Sequence, residues 1–137
     1  AATSDQCVGE TAIQFFQKRT SEFTVDGRSA GDIVRAEPRI GEFLEIQRIG
    51  RLTPSTPVRI LSPLNDDAVP GHQSQQLGRD WCASGAAVEM VIDPIPPIAP
   101  GLIVGHGAPM VTGLGATVQY LDDRINGLPA PVNCGTY

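Results

Sequence analysis

The 137-residue chain contains one lysine, Lys18, and no basic run. With a formal net charge of −5, it is poorly suited to nucleic acid or to an anionic membrane surface as its main partner. No stretch approaches the apolar length needed to span a bilayer. No signal peptide is visible, so any export signal is expected to have been removed or to lie outside this sequence. No internal repeat is present. The three cysteines, Cys7, Cys82 and Cys134, have no zinc-type spacing, and neither histidine is near them in sequence. Nothing in the pattern implies a metal or a cofactor. An odd cysteine count allows one disulfide and one spare thiol in an oxidising compartment, or three reduced buried thiols. The residues alone favour neither.

What the chain does have is apolar content of 41% against 18% charged, enough for a real core and inconsistent with disorder. Residues 1–50 read as helical and only modestly apolar. A helix is expected over Thr3–Thr20, with Thr3 and Gln6 as a capping box and Val8, Ala12, Phe15 and Phe16 on one face. A second is expected over Ser29–Ala36, stopped before Pro38. A third carries Ile40, Phe43 and Leu44 and ends near Gly50. This segment has the character of a cap or linker on something larger. Residues 51–137 differ. Pro54 and Pro57 bracket a linker, and Val58–Ser62 reads as a strand. Gly71–Ser84 reads as a helix with Leu77 and Trp81 inward and Gly85 at its C-cap. Ala87–Ile92 reads as a second strand, followed by a proline-rich loop to His106. Ala108–Ile125 reads as one helix whose stripe Met110, Leu114, Val118, Leu121 and Ile125 is expected in the core.

Strand, helix, strand over residues 58–92 implies an α/β arrangement with parallel strands and a right-handed crossover. In such sheets chemistry gathers beyond the carboxyl ends of the strands. Asp66 and Asp67 follow the first strand and His106 follows the second, so an acid and a histidine forty positions apart can meet. A carboxylate on one ring nitrogen fixes the histidine tautomer and stabilises the imidazolium, as in the acid–base half of a Ser-His-Asp triad. The order Asp then His suits an α/β-hydrolase, which also needs an upstream serine in a GxSxG elbow. The serines are 4, 21, 29, 55, 62, 74 and 84, and none sits in that motif. By spacing alone Asp66 reads as a turn or cap residue, His106 as a loop histidine and His72 as a surface helix residue.

An ordered set of residues adds a resemblance. It comprises Pro57-Val58, then Asp66-Asp67-Ala68-Val69-Pro70, then Arg79-Asp80-Trp81-Cys82 with Gly85-Ala86. His106, the ending Tyr120 to Ala130 and Cys134 complete it. In this order they resemble the C-terminal part of the secretory lipases, α/β-hydrolases of the lipase A type from fungi and actinobacteria. The likeness covers residues 50–134, and residues 1–50 more loosely. The stretch Asp93 to His106 is longer and richer in proline than the family pattern. The resemblance implies Asp66 as triad acid, His106 as base, Asp67 as a solvated neighbour and a Cys82–Cys134 disulfide. It also implies a secreted enzyme, extracellular or cell-wall associated, acting on acylglycerol-type esters.

With no GxSxG serine, the chain is expected to be the C-terminal portion of a serine lipase or esterase, inactive alone. It would be completed by an N-terminal half that carries the serine, the oxyanion hole and the partner of Cys7, or would self-associate. The alternatives are an independently folded, non-enzymatic binding or surface module derived from such a lipase, or an unrelated α/β domain whose Asp and His never meet. Two parallel strands are too few for a covered sheet. Exposed edges, strands recruited from residues 1–57 or 95–105, or self-association are therefore expected.

Overall fold

A computed structural model describes residues 7–137. The expected Thr3–Gln6 capping box lies outside them. The chain divides into two compact units, Ala1–Ile49 and Gly50–Tyr137.

The first unit is short helices. α1 spans Val8–Gln14, and Glu10 reaches back to the Cys7 N–H. The helix does not run to Thr20 as its composition suggested. Gln17 turns left-handed (φ 58°), which ends the helical path, and a 3-10 turn follows at Thr20–Phe23. Phe15 meets Phe23 edge to face at 5.1 Å. α2 (Ala30–Ala36) starts at Ser29, whose hydroxyl accepts from the Asp32 N–H. α3 (Pro38–Gln47) takes Pro38 at its first position, where no N–H is missed. It ends at Gln47, short of Gly50. Ile40, Phe43 and Leu44 are exposed.

The second unit holds the sheet. β1 (Val58–Pro63) and β2 (Val88–Asp93) pair in parallel, from Val58 opposite Val88 to Pro63 opposite Asp93. α4 (Gly71–Ala83) connects them and packs on both. Its end is a Schellman motif: Gly85 is left-handed (φ 91°), its N–H donates to the Cys82 carbonyl, and Ala86 donates to Trp81. Leu77 and Trp81 are half-buried rather than fully inward, and the Trp81 indole N–H donates to the Leu52 carbonyl. Arg59 and Glu89 face each other across the strands at 2.9 Å, and the Arg59 guanidinium lies over the Tyr120 ring.

The expected helix over Ala108–Ile125 is two helices, α5 (Val104–Thr112) and α6 (Leu114–Ile125), which meet at Gly113. A side chain at Gly113 would collide with the Leu61 side chain of β1, so the turn where the helices meet presses directly on the sheet. Periodicity along the helix carries no trace of that long-range contact. The stripe expected in the core is exposed, from Met110 at 77% to Ile125 at 84%. Among the described residues the buried apolar side chains include Ala86, Val88, Met90 and Tyr120, a small core beside so much uncovered apolar surface.

Among the described residues no third strand is recruited from residues 1–57 or 95–105. The outer edge of β2 is instead plugged by Asn133. Its amide side chain accepts from the Met90 N–H and donates to the Met90 carbonyl, both at 2.8 Å, while its own N–H donates to Val88. On the opposite edge, parallel pairing turns the N–H and C=O groups of Arg59 and Leu61 away from β2. Among the described residues that edge carries no third strand. Asn133→Ala leaves two Met90 backbone groups unpaired. It is expected to lower stability by about 1–3 kcal/mol, seen as a fall in the urea midpoint at unchanged m-value.

Candidate active site

The loop after β1 carries Asp66 to a point where its two oxygens do different work. Oδ1 accepts the N–H groups of Ala68 and Val69 at 2.8 and 2.7 Å, a turn that holds the carboxylate still. Oδ2 lies 2.9 Å from His106 Nδ1. Burial pushes the Asp66 carboxyl up, but the His106 contact and the two backbone N–H groups outweigh it and hold it below the usual range. An ionised carboxylate only accepts, so Nδ1 carries the ring proton and Nε2 presents its lone pair. The Asp66 side chain is 6% exposed and that of His106 50%, so the pair is anchored on one side and open on the other.

His106 is not a loop histidine. It is the third residue of α5, within the first turn. α5 and β1 are in contact, which brings the ring to the Asp66 loop at the carboxyl end of the strand. A cleft of about 470 Å³ opens beside the pair. Its walls are largely apolar, from Leu61, Val69, Pro109, Met110 and Leu114. Ser74 lines the same cleft from α4, but it sits within a helix and makes no hydrogen bond to His106. The other nearby serine, Ser62, is buried with no access to the cleft. His72 is exposed in the first turn of α4.

Asp67 is not a solvated bystander. Its Oδ2 accepts the Gly101 N–H at 2.9 Å and its Oδ1 the His106 N–H at 3.2 Å. The expectation failed because the partners lie 34 and 39 positions away. No sequence signal marked this role, because the sequence reading starts the helix at Ala108 and the structure starts it at Val104. α5 begins after Ile103, which has no side chain able to cap a helix, so the cap had to come from elsewhere.

Cys82 is bonded to Cys134, tying the last turn of α4 to the tail that plugs β2. Cys7 is free and exposed. Among the described residues, no three of His, Cys, Asp and Glu cluster as metal ligands do.

Comparison with known proteins adds the following. The secretory lipase family profile matches residues 1–133. Lipase A of Arthroderma benhamiae (strain ATCC MYA-4681 / CBS 112371) is 24% identical over 131 residues. That alignment covers 96% of this chain and 26% of the relative, so the chain spans about a quarter of the curated protein it matches. No solved structure matches.

Proposed function

The chain belongs to the secretory lipase family, and from that premise we propose that it is the C-terminal portion of a secreted serine lipase or esterase. On this reading it supplies the acid and base of a Ser-His-Asp triad for the hydrolysis of acylglycerol-type carboxylic esters. The observation that carries it is the 2.9 Å contact of Asp66 with His106 Nδ1, which leaves Nε2 facing a cleft with an apolar lining. His106 Nε2 takes the hydroxyl proton as a serine oxygen attacks the ester carbonyl. It returns that proton to the departing alcohol, and water then repeats the cycle on the acyl-enzyme. Asp66 stays ionised and stabilises the imidazolium.

The serine and the oxyanion-hole donors come from an N-terminal portion of the same hydrolase. Two features support such a partner: the open edge of β1 and the uncovered apolar face of α5 and α6. A strand beside β1 would pair with Arg59 and Leu61. The short helices from Val8 to Gln47 are the cap-to-sheet segment of that hydrolase. The enzyme is secreted, in keeping with the family description.

The isolated chain is expected to show no turnover of a short-chain chromogenic ester. Addition of the N-terminal portion, expressed separately, restores a turnover that a serine-directed phosphonate abolishes. Phosphonate-sensitive turnover by the isolated chain would contradict the absence of its nucleophile.

A further inference from the structure

The start of α5 has no side-chain cap of its own. Its N-cap is Ile103, left-handed (φ 57°) and without a side-chain hydrogen bond. A β-branched residue in that conformation is strained, and Ala99 in the same loop is left-handed too (φ 46°). The first-turn N–H groups of a helix need acceptors, and a negative charge there is favoured by the helix dipole. Asp67 supplies both from the β1 loop. One oxygen takes the Gly101 N–H inside the strained loop, and the other takes the N–H of His106. Gly105, one residue earlier, permits the approach. A Cβ there would collide with the Asn65 carbonyl oxygen and stand 3.1 Å from Asp67 Oδ1. A hydrogen bond from the Asn65 side chain to the Ile95 carbonyl at 2.7 Å adds a second tie between the two loops.

The geometry points to Asp67 as a positioning residue. It fixes the backbone of His106 while its neighbour Asp66 fixes the ring, so one dipeptide sets both the placement and the tautomer of the base. The two acids act in series. Asp66 can reach Nδ1 only if the helix that carries the ring is seated, and the Asp67 carboxylate seats it. Asparagine cannot replace it. It keeps one acceptor oxygen and turns an NH₂ group toward the second backbone N–H. The consequence for turnover rests on the triad reading, whereas the seating of His106 does not.

Two measurements separate these. The first uses this chain, whose only other histidine is His72. In unmutated protein the amide protons of Gly101 and His106, both bonded to Asp67, are expected to be protected from exchange with solvent. In Asp67→Asn the downfield Nδ1–H resonance of His106, the mark of its bond to a carboxylate, is expected to be lost while the spectrum stays folded. Retention of that resonance, or rapid solvent exchange of the Gly101 and His106 amides in unmutated protein, overturns the positioning role. Should the variant not fold, amide exchange in the unmutated chain decides.

The second measurement uses the full-length lipase. Asp67→Asn is expected to lower kcat by about 10- to 100-fold, the cost of a misplaced base, with KM held within about twofold. An unchanged kcat, or a loss confined to KM, overturns it. If instead Asp66→Asn and His106→Ala are themselves silent, the triad reading fails, and the spectra alone still decide the seating of His106.

Discussion

Asp66→Asn and His106→Ala in the intact serine hydrolase proposed above are each expected to lower kcat/KM for a short-chain ester by about ten-thousand-fold. The two losses have different causes. Alanine removes the base. Asparagine keeps the shape but presents either an NH₂ group, which forces the ring proton onto Nε2, or an oxygen without charge, which leaves the imidazolium unsupported. Oδ1 of Asp66 already accepts two backbone N–H groups, so the asparagine oxygen is drawn to Ala68 and Val69 and its NH₂ group to His106. The tautomer is therefore inverted. Because the two residues act as one unit, the double variant should lose no more than the worse single one. Additive losses in that cycle would show that Asp66 and His106 do not work on the same proton.

The second large effect concerns the Cys82–Cys134 bond. It closes a loop with a sequence separation of 52, and a loop of that size constrains the unfolded chain by about 4 kcal/mol in the entropy model. That is a large share of the roughly 5–15 kcal/mol available to a typical domain. Here the bond also holds the tail whose Asn133 occupies the edge of β2, so its loss releases two things at once. Cys82→Ala with Cys134→Ala is expected to lower the urea midpoint accordingly. Under denaturing, non-reducing conditions the parent chain is expected to show one free thiol, Cys7. Three free thiols would remove the bond from the account.

Much of this architecture was legible where its causes were local. β1 and β2 were visible as short β-rich runs, and α4 was delimited by Pro70 and by a glycine suited to left-handed backbone. Ser29 marked the start of α2, and Pro38 the stop just beyond its end. What sequence reading missed was long-range. The division of the last helix at Gly113 answers to Leu61, some fifty positions earlier. The start of α5 answers to Asp67. Periodicity correctly gave α6 one apolar face, but it carries no information on what would cover that face. The meeting of Asp66 with His106 was open to inference because parallel strands deliver their following loops to the same end. The work of Asp67 was not, since only a folded chain brings its carboxylate to α5.

Asn133 also bears on how many copies could join through their strands. A filament needs two free edges on each molecule, one to receive and one to offer. Here Asn133 occupies the middle of the β2 edge, which leaves the β1 edge as the more open one among the described residues. Two copies can meet β1 to β1 about a twofold axis, which uses up the more open edge of each. Strand pairing between copies is therefore expected to favour a closed pair over a filament, and an N-terminal partner of the kind proposed above would compete for the β1 edge.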